Sequence, residues 1–367
     1  MKTAIVILNW NTKDYLEKFL PGVIASCEEA ERVLAEDRVK AEVIVADNAS
    51  TDGSLEVMEQ KFPQVRVIRM DQNYGFTGGY NKALAALKED GFDYYVLLNT
   101  DVQVPVDWLI PMARWMESHP ECGACSPKLH SWYEKDQFEY AGAAGGFIDC
   151  YGFPFCRGRV MQHVEKDEGQ YDQTKNVFWA TGACLMVRSR LYWELGGLDD
   201  RFFAHMEEID LCWRLQLAGY KVTVIPQSVI WHLGGGTLPQ TSPWKLKLNY
   251  RNNLLMLENN LAKTYALNMP AEKAWSKARR RITQRMLIDG LTGIAYLCLF
   301  KFSYFQSVIQ AHKEYRQLRR RCSVMELEMY CKTHEKEKIQ VEGIYPKWII
   351  PRAVFRGKKI FELVHRL

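Results

Sequence analysis

The sequence lacks any long hydrophobic run. Across 367 residues no stretch reaches about 18 uninterrupted apolar positions, so no simple membrane-spanning helix is expected. The opening MKTAIVILNWNT does not read as a signal peptide, because its apolar run is short and passes directly into polar residues. There is no internal repeat, no low-complexity tract and no recognised nucleic-acid-binding motif. A Walker loop is excluded, since no Gly-Lys-Ser/Thr follows a glycine-rich turn, and the GxGxxG dinucleotide fingerprint is absent too. The ten cysteines are scattered, as expected of free thiols in a reducing cytoplasm. One pair, Cys122 and Cys125, has CxxC spacing, but a zinc site needs a second pair, and Cys150 and Cys156 do not match. With 47% hydrophobic and 25% charged residues, disordered, collagenous and coiled-coil classes are excluded as well.

What is present divides unevenly by charge. Residues 268–367 hold 21 Lys and Arg against 9 Asp and Glu, which leaves 27 against 35 in residues 1–267. A basic tail on a mildly acidic body predicts an anionic partner for the tail, such as phosphate or lipid head groups. The length suits two domains, or one large domain with an appendage. We place the boundary near 265–270: a domain over 1–265 and a helical, basic extension over 266–367.

The first half alternates strands and helices. Ala4–Leu8 is a short continuous apolar run typical of a parallel strand buried on both faces, and Glu42–Ala46, Val65–Ile68 and Tyr94–Leu98 read as three further strands. Helical stretches are predicted over 14–37, 54–61 and 78–88. The pattern predicts an α/β fold with a mostly parallel sheet, whose ligands bind beyond the carboxyl ends of the strands. Residues 120–180 are irregular. Strands are then predicted over 176–187 and 221–232, a helix over 206–218, and an amphipathic helix in the apolar stretch 286–309.

Polar residues cluster at the strand ends. Asn9 and Asn11 follow the first strand, and Asp47 opens the string DNASTDGS, which includes Asp52. Such residues make turns and helix caps, but a carboxylate there can also accept from a base or a ribose hydroxyl. Asn73 to Asn81, with Gly78 and Gly79, is a tight glycine-rich turn whose amides could approach a phosphate at a helix N-terminus. Asn99-Thr100-Asp101 ends the fourth strand, where Asp101 either caps a turn or holds a divalent cation bridging a diphosphate. Glu207, Glu208 and Asp210 crowd three carboxylates at a helix start. The helix dipole favours acids there; mutual repulsion can also raise one pKa into the range of a general base. His232 ends a strand before three glycines, a suitable place for a ligand.

Together the strings VILNWN, DNASTDGS, NYGFTGGYN, LLNTD, ATGACLMVR, GGLDDRFF–MEEIDLCWR and WHLGGGT resemble the inverting glycosyltransferases of family 2, with the GT-A fold. They occur in that family's order over about residues 3–255 and are closest to the rhamnosyltransferase-like subset of bacterial cell-surface polysaccharide synthesis. The resemblance implies that Asp47 binds the pyrimidine of a dTDP- or UDP-linked sugar, helped by Asn9, Asn11 and Asp52. Asn73, Gly78, Gly79 and Thr100 would line the donor pocket. Asp101 would hold Mg²⁺ or Mn²⁺, with Asn99 in place of the first Asp of the DxD element and His232 beside the metal or diphosphate. Glu208 would be the general base, with Glu207 and Asp210 as rivals, and Gly182 and Trp179 would lie on the acceptor side. The resemblance further implies a glycan or lipid-linked acceptor, a cytoplasmic enzyme with its basic tail on an anionic membrane surface, and no nucleic-acid partner. A nucleic-acid-binding module and a sugar nucleotidyltransferase remain the alternatives. Salt-sensitive RNA or DNA binding would mark the first, and pyrophosphate release the second.

Overall fold

The computed structural model describes residues 1–139, 142–234, 242–320, 322–334 and 339–367. The N-terminal half builds a parallel core: β1 (Lys2–Asn9), α1 (Lys13–Val33), β2 (Lys40–Asp47), α2 (Ser54–Lys61), β3 (Arg66–Arg69), α3 (Gly75–Ala86) and β4 (Tyr94–Leu98). β1 pairs in parallel with β2 and with β4, and β2 with β3. Every residue of β4 is buried, as its unbroken apolar run requires. The chain continues through β5 (Val102–Gln103), α4 (Leu109–Ser118) and β6 (Cys122–Ser131).

A smaller antiparallel layer follows: β7 (Gly146–Asp149), β8 (Pro154–Cys156), β9 (Arg159–Val160) and β10 (His163–Val164). Then come β11 (Lys175–Asn176), β12 (Cys184–Arg188), α5 (Ser189–Glu194), α6 (Glu207–Leu217) and β13 (Lys221–His232). The main sheet runs β11-β13-β6-β12-β4-β1-β2-β3, with β5 on the outer part of β13. β12 is antiparallel to both β4 and β6, so the sheet is mixed.

α7 (Pro243–Ala266) closes the body, and the extension beyond it is helical: α8 (Ala271–Cys298), α9 (Phe302–Leu318) and α10 (Val324–Thr333), then β14 (Ile344–Tyr345), α11 (Ile349–Arg356) and α12 (Phe361–Val364). α7 begins with a Ser242 cap and Pro243 at its first position, a strong start signal. Packing runs across residue 265. One hydrophobic cluster joins Phe147, Trp213 and Leu257 of the body to Ile282, Tyr315 and Phe361. β14 adds a parallel strand to β7, and the Asp149 carboxylate accepts from the Ile349 amide at 2.9 Å. Arg285 stacks 3.6 Å from the Phe153 ring centroid and donates to Asn253 at 2.5 Å.

Three expectations need correction. The apolar run 176–187 is not one strand. β11 and β12 lie apart in the main sheet, and Trp179 between them bridges to Gly146 of the smaller layer. The stretch 286–309 is not one helix, because the chain turns between α8 and α9 through Phe300 at φ 57°. α3 starts at Gly75, earlier than expected, since the Phe203 carbonyl accepts from the Phe76 and Thr77 amides at 2.7 and 3.1 Å. No helix among the described residues is long and apolar enough to cross a membrane.

Candidate active site

The carboxyl ends of β1, β4 and β13 and the start of α6 open on one cavity of about 650 Å³. Of the residues singled out in the sequence, Asn73, Thr100, Asp101, Trp179, Gly182, Glu207, Glu208 and His232 line it. Asn9, Asn11, Asp47, Asp52, Gly78, Gly79 and Asp210 do not form its wall.

The Asp47 group is a network beside that cavity. Asn9 donates to Asp47 Oδ1 at 2.8 Å and to Ser50 Oγ at 3.0 Å, while Thr12 donates to Asn9 Oδ1 at 2.6 Å. The Ser50 amide donates to Asp47 Oδ2 at 2.9 Å. Asn11, at φ 53°, accepts from the Thr51 amide at 2.7 Å. Asp52 joins two helix starts, accepting from the Lys13 amide at 2.8 Å and from the Ser54 amide at 3.0 Å. Gly79 is a close-packing position, because a Cβ there would lie 2.8 Å from Leu8. The first α3 amides already serve Phe203, and Asn73 Oδ1 accepts from the Gly75 amide at 2.8 Å.

The acidic triplet separates by environment. Asp210 is completely consumed: Oδ2 accepts from Arg214 at 2.7 Å, and Oδ1 from Asn259 and Asn260 at 2.9 and 2.7 Å. Glu207 and Glu208 face the cavity, and the Oε2 atom of each has no hydrogen-bond partner among the described residues. Burial pushes Glu208 up to about 7, and burial with the neighbouring Glu208 charge pushes Glu207 well up. A carboxyl near 7 is suited to take a proton at physiological pH. Gly182 lies under Glu208, its missing Cβ position 3.5 Å from the Glu208 side chain.

The segment that presents this pair is held in an uncommon conformation. Phe203, His205 and Met206 have φ of 63°, 73° and 74°. The Asn252 side-chain amide donates to the carbonyls of Phe202, Ala204 and His205 at 2.8, 2.7 and 2.8 Å. Arg251 also donates to the Phe202 carbonyl, at 2.8 Å, and pairs with Glu314 of α9 at 2.9 Å.

Elsewhere on the wall, His232 sits between two carboxylates. Nε2 is 3.1 Å from Asp101 Oδ1, and Nδ1 is 3.3 Å from Glu139 Oε2. Burial alone would lower this imidazole, but the charges of Asp101 and Glu139 outweigh it and raise the ring to about 10. The same carboxylates would favour a metal in place of that proton. Bonds of about 2.1 Å to an octahedral cation put neighbouring ligands about 3 Å apart, which the Asp101–His232 separation matches. Among the described residues no group of three or more His, Cys, Asp or Glu side chains suits a metal. The donor set therefore fits an ion that takes its other ligands from phosphate and water. Cys122 and Cys125 are buried in β6 with thiols raised by burial, as inert structural cysteines are. Gly235, Gly236 and Thr237 of the WHLGGGT string lie outside the described residues.

Sequence reasoning missed Glu139, Arg159, His205 and Lys245, all on the cavity wall. Glu139 and Arg159 belong to the irregular region, where no periodicity marks a face. Lys245 lies outside every string that marks the site in the sequence.

The sequence model for "Glycosyl transferase family 2" matches residues 4–196. The chain belongs to this family. It is a glycosyltransferase of the GT-A type of fold. The N-acetylglucosaminyl-diphospho-decaprenol L-rhamnosyltransferase of Mycobacterium tuberculosis (strain CDC 1551 / Oshkosh) is 29% identical to it over 247 residues, 62% of this chain and 75% of that protein. Rhamnosyltransferase WbbL of Escherichia coli (strain K12) is 26% identical over 226 residues, covering 60% and 80%. Among solved structures, GalNAc-T7 with UDP, GalNAc and Mn²⁺ superposes with a TM-score of 0.51 at 16% identity over 74% of this chain. S. aureus TarS does so with a TM-score of 0.51 at 13% identity over 93% of this chain. The matched region spans 51% of the first structure's chain and 55% of the second, so these two show the fold alone.

Proposed function

We propose that this glycosyltransferase moves a sugar, rhamnose by resemblance, from a dTDP- or UDP-linked donor to a hydroxyl of a glycan or lipid-linked glycan. The process it serves would be bacterial cell-surface polysaccharide synthesis, and the transfer inverts the anomeric centre. The rhamnosyltransferase relatives support the sugar and the process. The observation that carries the chemistry is the Glu208 carboxyl, raised to about 7 on the cavity wall with Oε2 unpartnered among the described residues.

In this reading Glu208 takes the proton of the acceptor hydroxyl as that oxygen bonds to the anomeric carbon. The bond from that carbon to the diphosphate oxygen breaks on the opposite face, and the electron pair leaves with the nucleoside diphosphate. Glu207 stays protonated beside Glu208, because two adjacent buried carboxylates resist joint ionisation. Asp47, oriented by Asn9 and Ser50, receives the pyrimidine. Asn11 and Asp52 hold the shape of that turn, Gly79 lets α3 approach β1, Gly78 belongs to the same turn of α3, and Asn73 and Thr100 line the donor side. Asp101 and His232 would hold Mg²⁺ or Mn²⁺, with Glu139 orienting the ring through Nδ1. A bound divalent cation supplies charge neutralisation to the leaving diphosphate. Trp179 and Gly182 lie on the acceptor side.

We assign catalysis to residues 1–265 and contact with an anionic membrane surface at the cytoplasmic face to residues 266–367. Exposed Leu287, Leu291 and Ile294 along α8, the turn residues Phe300 and Phe302, and Phe355 of α11 between Arg352 and Arg356 support that placement.

The test is product release. With Mn²⁺ or Mg²⁺ and a lipid-linked acceptor, one sugar nucleotide should yield free nucleoside diphosphate, and Asp101→Asn should abolish the cation's effect on donor binding. Release of pyrophosphate, or no nucleotide binding at all, would sink the reading.

A further inference from the structure

The cavity is acidic on one side, with Asp101, Glu139, Glu207 and Glu208 among its lining, yet three basic side chains from separate elements also line it. Arg159 comes from β9, Lys245 from the first turn of α7, and His205 from the segment before α6. We propose that Arg159, Lys245 and His205 form a second anion subsite, which seats the diphosphate of a lipid-linked acceptor. The proposal rests on the glycosyl-transfer reading and adds the class of group that carries the acceptor.

Several observations converge on it. Burial holds the Lys245 ammonium below its usual range against the opposing pull of the Glu139 carboxylate, and the Arg159 charge adds a smaller push in the same direction. His205 has no partner for Nε2 among the described residues, and burial, then Lys245, lowers it to about 4. The ring is therefore neutral and can donate one hydrogen bond without adding charge. Arg159 is oriented by its Nε donating to the Met161 carbonyl at 3.0 Å. Lys245 stands in the first turn of a 24-residue helix, whose positive end adds to the field.

The neighbourhood favours an amphiphilic ligand. Trp244, next to Lys245, packs edge-on against Phe203 with ring centroids 5.5 Å apart. The two are 39% and 36% exposed, so an apolar ledge borders the cations and opens to solvent. A nucleotide donor brings one diphosphate, which a divalent cation held by Asp101 and His232 would meet. A lipid diphosphate brings the second, joined to an apolar chain that suits the ledge. Donor and acceptor thus share one anionic chemistry, and the experiment separates them.

Titrate the full chain with farnesyl diphosphate, farnesol, and UDP or dTDP with Mn²⁺, for the wild type and for Arg159→Gln/Lys245→Gln. Wild type should bind farnesyl diphosphate, weaken with added salt and bind farnesol at least tenfold less well. The double variant should lose at least tenfold in farnesyl diphosphate affinity and keep nucleotide affinity within about twofold. Unchanged farnesyl diphosphate binding in the variant, or none in wild type that still binds nucleotide, overturns the subsite. Loss confined to nucleotide assigns the cations to the donor and overturns it too. Absence of nucleotide binding in wild type instead marks failure of the glycosyl-transfer reading. Should the double variant not fold, Lys245→Arg, which keeps the charge, must retain binding, and Lys245→Gln must lose it.

Discussion

Replacing Glu208 by Gln should stabilise the protein and stop it working, with an effect on stability that depends on pH. Burial raises this carboxyl from the ordinary 4.5 to about 7 in the folded chain. Between those values the unfolded chain has released its proton and the folded chain has not. Stability therefore falls as pH rises from about 4.5 to about 7, and stays level above that. The loss is roughly 3 kcal/mol for a shift of this size. The carboxyl qualifies for so large a term because its Oε2 reaches neither solvent nor a partner. Gln keeps the shape and cannot ionise. In urea denaturation followed by tryptophan fluorescence, the variant should exceed wild type by about 3 kcal/mol at pH 8 and by less than about 1 kcal/mol at pH 5. Turnover, read as nucleoside diphosphate release, should fall by about 10²–10⁴. Wild-type turnover should climb with pH through about 7, as the base ionises. A variant no more stable than wild type at pH 8 refutes the burial argument, and a fully active one refutes the role of Glu208 as base.

Two further substitutions test the surroundings of that base. Asn252→Ala removes the donor shared by three carbonyls of the segment before α6. It should cost about 2–3 kcal/mol and lower kcat more than the donor KM, as steady-state kinetics with thermal melting will show; unchanged kcat would mean the segment holds itself. Gly146→Ala places a Cβ 2.0 Å from the Trp179 ring, which must move. The expected penalty exceeds about 2 kcal/mol with altered tryptophan fluorescence, and a wild-type melting curve would show that the ring has room to give.

The parallel half of the fold is legible because its central strands carry short apolar runs, buried along most of their length. β1, β2 and β4 appear in the sequence within a residue or two of their ends. The smaller layer is not legible, since β7 to β10 have four residues or fewer and offer no period to detect. The run through Val177, Phe178 and Trp179 misleads for a related reason. It is apolar because it is buried between two layers, not because it pairs along its length. At the site, strand-end acids and the histidine could be picked out, since position and residue type coincide there. Glu139 could not. Its role comes from a 3.3 Å approach to His232, 93 residues away in sequence, which no local pattern encodes.

The change of charge near residue 265 marks composition, while mechanical support of the site runs straight through it. Arg251 and Asn252 of α7, on the body side, grip the carbonyls ahead of Glu207 and Glu208, and Arg251 is itself anchored across the boundary by Glu314 of α9. Lys247 shares that anchor at 2.6 Å, and Arg201 donates to the Leu318 carbonyl at the end of α9 at 3.2 Å. Three residues of positive φ within four positions would not persist without such bracing, because each is held in a sparsely populated conformation. The extension is therefore part of what holds the base in place. If the exposed apolar edge of α8 and α9 meets an anionic bilayer, the same helices that touch the surface also set the geometry of Glu208. An acceptor arriving from that surface would meet the Trp244–Phe203 ledge and then Lys245, at the start of the helix that carries Arg251 and Asn252. Under the proposed function, support of the base and delivery of a lipid-linked substrate would thus converge on α7, the last helix of the body, which α8 and α9 of the extension pack against.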